Sequence, residues 1–335
     1  MVRKRQRESP KATIIGNTSW GNTLGALLSD KGVEVRLVTR SAAEAENLDQ
    51  ERRSYSSTSH IEEALSKAVL VIWAVPSQKL RENVAQAKDY LTGSMLLMSA
   101  AKGLEVDSGK RMSEVLSEEI VPSLRGQICV LSGPNLAGEI AQGLPAASVI
   151  AAHDIALAER ARKLMEAPKF VISSSDDVIG VELGGALKNI IALGAGMMDG
   201  LGLGDNAKGA FIAWGWTEVV SLGVALGARA GTFYGLAGLG DLITTCASTL
   251  SRNHYVGFEL AKGRSLSQIS ASMPHVAEGV ATSAAVHRLA KNQGLKLPII
   301  DLIHGVLFEA LPASRALTEF KELAASHYCS LAWAS

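Results

Sequence analysis

Two lysines and two short polar segments carry the chemistry of this chain. Lys188 and Asn189 stand in the middle of Val181-Glu-Leu-Gly-Gly-Ala-Leu-Lys-Asn-Ile-Ile-Ala-Leu-Gly-Ala-Gly196, an otherwise apolar, glycine-rich stretch at helical spacing. That setting predicts a partly buried Lys188. A cation is rarely placed where water is scarce without a partner or a task, and desolvation tunes a lysine toward acid–base work near neutral pH. An isolated lysine would more often snorkel to the surface. Here Lys102, Gly238-Leu-Gly-Asp-Leu-Ile-Thr-Thr-Cys246 and Ser251-Arg-Asn253 supply a second cation, a carboxylate at Asp241 and a guanidinium at Arg252. For Asp241 the alternative is a helix cap after Gly240.

The chain opens with Gly16-Asn-Thr-Ser-Trp-Gly21, which follows a predicted strand and starts a predicted helix. A glycine-rich turn in that context offers free amides and a positive dipole end to a dinucleotide pyrophosphate. The second predicted strand ends Val38-Thr39-Arg40-Ser41 and lacks the carboxylate that usually takes the NAD ribose. Arg40 suits the 2′-phosphate of NADP instead, so NADPH is the expected cofactor, with NAD possible. The alternative is an ordinary surface arginine. Gly133-Pro-Asn135 also ends a strand and starts a helix, where amides receive anions. No His-x-Glu or Cys-x-x-Cys grouping suggests a metal, and none is expected.

Positioning these groups falls to two kinds of element. Short β-branched runs at Ala12–Gly16, Val33–Thr39, Val69–Ala74, Met95–Ala100, Ile128–Leu131, Ala147–Ala151 and Phe170–Ser173 alternate with helical stretches. This pattern predicts an α/β, Rossmann-like doubly wound parallel sheet, with ligands beyond the strand carboxyl ends. From Asp177 onward apolar residues recur at helical spacing through Val178–Met198, Ala207–Ala228, Leu236–Ala247, Tyr255–Lys262, Ser283–Asn292 and Ile299–Phe308. The expected division is a basic tail at 1–10, an NAD(P)-binding domain at 11–176 and an all-helical substrate domain at 177–335. Asp176 or Asp177 is expected to cap the helix carrying Lys188. Trp214 and Trp216 are read as core or dimer contacts.

From about Lys11 to about Glu322, these segments resemble NAD(P)-dependent glycerol-3-phosphate dehydrogenase of the bacterial type. The resemblance implies that Lys188 exchanges a proton with the substrate C2 oxygen and that Asn189 orients it. It also implies that Asp241 pairs with the lysine, that Arg252 and Asn253 hold the phosphate, and that Lys102 lies near substrate and nicotinamide. Gly133, Asn135 and Ser251 join the substrate set. Gly16, Ser19, Trp20, Gly21, Arg40, Lys102, Ala137, Arg252, Val276 and Glu278 form the cofactor set, the last two from His275-Val-Ala-Glu-Gly279. A lone histidine such as His275 is more often structural.

Hydride transfer to a ketone develops an alkoxide that an ammonium neutralises. Lys102 would lower the pKa of Lys188 while Asp241 and a substrate phosphate would raise it, and the sequence leaves that balance open. Three departures stand out. Thr18 replaces a glycine, its hydroxyl being a possible phosphate donor. Asn135 stands where Ser or Thr is common. The stretch from Asn47 to Ala64 lacks the family's Asn…Tyr-Leu-Pro loop, a wall of the cofactor cleft.

The implied activity is reduction of dihydroxyacetone phosphate for phospholipid synthesis, by a cytoplasmic homodimer. A 2- or 3-hydroxyacid dehydrogenase would share the architecture without needing Ser251-Arg-Asn253. A catalytically silent NADP-binding regulator would not need the lysines. Bulk properties agree with a small-molecule enzyme: among 335 residues, Lys plus Arg and Asp plus Glu are each 33, so no net charge advertises a nucleic-acid or membrane partner. Arg3, Lys4, Arg5, Arg7 and Lys11 read as a solvated tail without a signal-peptide core. Cys129, Cys246 and Cys329 are widely spaced, as suits a reducing compartment. The apolar stretches near Ile190 and Val219 are interrupted by polar residues, and no transmembrane helix is expected.

Overall fold

A computed structural model of the chain describes residues 9–51, 53–273 and 276–323. Arg3, Lys4, Arg5, Arg7, His275 and Cys329 lie outside them.

The first half is an eight-stranded sheet: β1 Lys11–Ile15, β2 Glu34–Val38, β3 Ser56–Thr58, β4 Ala68–Trp73, β5 Leu96–Ser99, β6 Ile128–Ser132, β7 Ala146–Ala151 and β8 Phe170–Ser175. Its order is β3-β2-β1-β4-β5-β6-β7-β8. The chain winds outward from β1 through β2 to β3, then returns to the other side of β1 as β4. That reversal opens a crevice at the carboxyl ends of β1 and β4, the usual place for a ligand in such sheets. Helices α1 Ser19–Asp30, α2 Ala42–Gln50, α3 Ile61–Leu65, α4 Leu80–Ala87, α5 Met112–Glu119, α6 Ala137–Ala141 and α7 Ile155–Met165 connect the strands. Apolar clusters on both faces explain why β1 is buried along its whole length.

Three expectations need correction. The sheet is not wholly parallel, because β7 runs antiparallel to β6. Lys11 belongs to β1 rather than to a solvated tail: its ammonium donates to the Ser66 and Glu63 carbonyls at 2.7 and 3.2 Å and is 8% exposed. The stretch after the second strand contributes an additional strand, β3, paired with β2. Just before it Arg53 and Tyr55 bond to each other and to Asn22 of α1.

The second half is helical: α8 Val178–Gly200, α9 Gly204–Ala225, α10 Asp241–Ala247, α11 Arg252–Ala261, α12 Leu266–Ser272, α13 Glu278–Asn292, α14 Pro298–Phe308 and α15 Ala313–Leu323. A π-turn over Leu236–Gly240 leads into α10. Asp177 is the cap of α8, accepting from the Gly180 amide at 2.9 Å while its other oxygen takes the Arg229 amide and the Thr232 hydroxyl. Helix α8 is apolar on nearly every side because the other helices wrap it. By length and composition alone it could cross a membrane, contrary to the expected interruption, yet 89% of its apolar window is buried inside the fold. Trp216 is buried and packs against Phe233, while the half-buried Trp214 packs against Phe320. Helix α11 crosses α8 so closely that a Cβ on Gly257 would collide with the Leu193 carbonyl. Only glycine allows that approach, and it brings the start of α11 over the middle of α8.

Candidate active site

Between the two halves lies a buried charge cluster. Lys188, 6% exposed on α8, donates to Asp241 Oδ1 at 2.6 Å and to the Thr245 hydroxyl. Asp241 and Thr245 are one turn apart on α10, and Thr245 donates onward to the same aspartate oxygen at 3.3 Å. Lys102, from the loop after β5, reaches the other oxygen, Asp241 Oδ2, at 2.8 Å and the Gly133 carbonyl at 2.7 Å. One carboxylate therefore holds a lysine from each half of the molecule. Burial is the largest influence on Lys188 and pulls its pKa down to about 8; Asp241 opposes this and Lys102 adds to it. Among the chain's own groups, the balance falls on the side of a lowered pKa.

The asparagines form a second layer. Asn253 Nδ2 donates to Asn189 Oδ1 at 2.8 Å, and Asn253 Oδ1 accepts from the Gly279 amide at 2.9 Å. Asn253 thus ties α8, α11 and α13 together and fixes the orientation of Asn189. Ser251 caps α11 through the His254 amide. Arg252, between them, is exposed and has no acceptor among the described residues. Asn135 Oδ1 accepts from Ser148, while its Nδ2, like the Ser132 hydroxyl, is buried without a partner among the described residues.

At the crevice, Gly16 has φ +121° and a Cβ there would sit 2.8 Å from the Ala74 carbonyl. Glycine is the residue this turn accepts. Thr18 caps α1, its hydroxyl accepting from the Gly21 amide at 3.0 Å and donating to the Ala74 carbonyl at 2.7 Å. The threonine hydroxyl is consumed within the fold and is not the phosphate donor considered from sequence. The Ser19 and Trp20 amides, with no acceptor among the described residues, are left for an anion at the helix N-terminus. This turn fits a dinucleotide pyrophosphate. Trp20 itself packs edge-on to Phe170 at 6.3 Å. Ala137 begins α6, and its carbonyl accepts from Thr23 at 3.3 Å. Arg40 projects beyond β2 with its side chain 91% exposed. Val276 is exposed, whereas Glu278 turns inward to take the Ser77 amide at 2.9 Å and the Ser77 hydroxyl, joining α13 to the loop after β4.

The chain's residues 11–158 match the model of the NAD-dependent glycerol-3-phosphate dehydrogenase N-terminus, and residues 177–318 match that of the C-terminus. The chain belongs to this family. It is 50% identical to "Glycerol-3-phosphate dehydrogenase [NAD(P)+]" of Dehalococcoides mccartyi over 330 residues, covering 95% of this chain and 92% of that one. The protein of the same name in Geobacter metallireducens is 40% identical, covering 92% and 96%. Among solved structures, glycerol-3-phosphate dehydrogenase from Coxiella burnetii superposes with a TM-score of 0.87 at 30% identity, covering 94% of this chain and 99% of that one.

As a glycerol-3-phosphate dehydrogenase, the chain is an oxidoreductase working with NAD(P). Three of its site contacts went unread in the sequence. Thr245 was legible in principle, since it stands four residues after Asp241 and so on the same helix face. Glu182 gave no signal: it lies on α8 and takes Arg111 Nη1 at 2.6 Å and the Ser113 amide at 2.7 Å, locking the lysine-bearing helix to the sheet half. Ser77, in the loop after β4, meets Glu278 across 201 residues of sequence, a contact that no local pattern records.

Proposed function

We propose that Lys188 is the proton donor and acceptor for dihydroxyacetone phosphate reduction and its reversal. Supporting this most is the Lys188–Asp241–Lys102 cluster, in which one buried carboxylate aligns two ammonium groups drawn from both halves. When bound, the nicotinamide cofactor supplies the hydride to the carbonyl carbon or takes it back. Lys188 gives its proton to the oxygen as negative charge develops, and Asp241 holds the ammonium in place. Thr245 fixes the lysine from the other side. Asn189, oriented by Asn253, donates to the same substrate oxygen. Lys102 keeps positive charge beside the reacting group.

The phosphate falls to Arg252 with Asn253; the planar guanidinium, which has no hydrogen-bond acceptor among the described residues, suits bidentate contact. Ser251, Gly133 and Asn135 complete the substrate contacts in this reading. For the cofactor we assign Gly16, Ser19, Trp20, Gly21, Ala137, Val276 and Glu278 to the cleft and Arg40 to the 2′-phosphate, which favours NADPH. The remaining parts of the reading are a homodimer, a cytoplasmic location and delivery of glycerol 3-phosphate to phospholipid synthesis. Absence of NADPH or NADH consumption on adding dihydroxyacetone phosphate to purified protein would refute the substrate assignment. Equal turnover of unphosphorylated 2- or 3-oxoacids would favour the hydroxyacid dehydrogenase instead.

A further inference from the structure

The end of β2 is not free of carboxylates, although the sequence there reads Thr39-Arg-Ser-Ala-Ala-Glu44 and the acid stands four residues beyond the arginine. Ser41 caps α2, and the first turn of that helix brings the Glu44 carboxylate back across the strand end. Glu44 Oε2 accepts from the Arg40 backbone amide at 3.0 Å, and Oε1 accepts from Asn17 Nδ2 at 2.8 Å. Asn17 lies inside the glycine turn after β1, and its side-chain oxygen Oδ1 accepts from Asn22 Nδ2 at 2.8 Å. The Glu44 carboxylate therefore bridges the pyrophosphate turn and the end of β2, the two walls between which the adenosine ribose of a dinucleotide sits. The Arg40 guanidinium lies alongside at 3.4 Å, an exposed, weakly held ion pair. The Asn17 and Arg40 bonds outweigh desolvation and keep the carboxyl below its ordinary pKa, so it is charged at neutral pH.

Resting on the cofactor role proposed above, we infer that Glu44 is a specificity-determining residue paired with Arg40. The Glu44 carboxylate accepts from the ribose 2′-hydroxyl of NADH and opposes the 2′-phosphate of NADPH, which Arg40 attracts. A carboxylate offers about four acceptor positions, so the Asn17 and Arg40 contacts leave capacity for a hydroxyl. The 2′-phosphate brings its own negative charge and, being mostly dianionic at neutral pH, meets Glu44 as a like charge. Arg40 can leave Glu44 for the phosphate at little cost because their pair is solvated. One residue thus serves each cofactor, which accounts physically for a site able to take both.

Equilibrium binding of NADH and of NADPH, followed by nicotinamide fluorescence without substrate, tests this on the intact protein at one fixed salt concentration. Glu44→Gln keeps the side-chain shape and an acceptor for Asn17 or Arg40 but removes the charge. It is expected to tighten NADPH and weaken NADH, moving the ratio of their dissociation constants about tenfold or more toward NADPH. Glu44→Asp, which keeps the charge, should stay near the parent ratio. An unchanged ratio in Glu44→Gln, or equal weakening of both cofactors, would make Glu44 only a brace for the turn and overturn the inference. If the parent binds both cofactors but leaves dihydroxyacetone phosphate unreduced, the substrate reading fails while Glu44 is still judged by the ratio. Failure of the parent to bind either cofactor overturns both.

Discussion

At the proposed reacting end of the cleft, Lys188, Asp241 and Thr245 are buried and bonded to one another, and Lys102 closes the cluster from the opposite half. At the proposed adenosine end, the Arg40 side chain is 91% exposed and, among the described residues, is paired only with Glu44 one helical turn away. The contrast follows from what each end must do. A proton donor works by having its pKa shifted, which requires taking a cation out of water and holding it with a fixed partner. A group that discriminates between a hydroxyl and a phosphate needs only to present charge, and solvent moderates how strongly. Substitutions at the first end should therefore act on turnover, and those at the second on cofactor choice.

The largest effect is expected from Lys188→Met. Turnover should fall by about two to four orders of magnitude, the usual worth of general acid–base help, while NADPH dissociation stays close to the parent value. Stopped-flow turnover alongside fluorescence titration separates the two, and retention of more than about a tenth of parental kcat would remove Lys188 from the mechanism. Arg252→Ala comes next. Loss of its phosphate contact should raise KM for dihydroxyacetone phosphate and lower kcat, together costing about a hundredfold in kcat/KM, because a misplaced carbonyl reacts poorly. Activity on unphosphorylated dihydroxyacetone should barely change. Equal losses on both substrates would make Arg252 a structural or cofactor contact.

The smallest change belongs to the exposed end. Arg40→Asp should reduce kcat/KM for NADPH by about ten- to a hundredfold, from loss of a charge-assisted hydrogen bond worth roughly 1.5–3 kcal/mol. With Glu44 already supplying an acceptor, NADH should gain little from the new aspartate. A large NADH gain would mean that Glu44 is not the ribose partner, and an unmoved NADPH value would make Arg40 an ordinary surface residue.

How much was legible in the sequence follows the same division. Burial of Lys188 could be read because its flanks are apolar over several helical turns, a local pattern. Its pairing with Asp241 could be expected only from resemblance, since the two lie 53 residues apart and meet through the packing of α10 on α8. Strand β3 escaped notice because three residues, Ser56–Thr58, are too few to show alternation. The antiparallel β7 escaped because strand direction depends on where the short α6 returns the chain, which strand composition does not record. Lys11 was misread for a related reason: its charge is satisfied by the Ser66 and Glu63 carbonyls, contacts more than fifty residues away. At the proposed adenosine end, Glu44 gives no signal at the strand end because it stands four residues beyond Arg40, and only the first turn of α2 folds it back.

Burial brings the pKa of Lys188, the proposed base, to about 8, so the pH dependence of glycerol 3-phosphate oxidation tests that role most directly. Oxidation needs neutral Lys188 as base, and kcat/KM reports ionisation in the free enzyme. Since the folded pKa lies below the ordinary lysine value, the neutral form accumulates as pH rises through about 8. The expected profile climbs about tenfold per pH unit below that point and levels above it, with the reduction direction falling over the same range. A flat kcat/KM for oxidation between about pH 6.5 and 9.5 would contradict a proton transfer governed by Lys188.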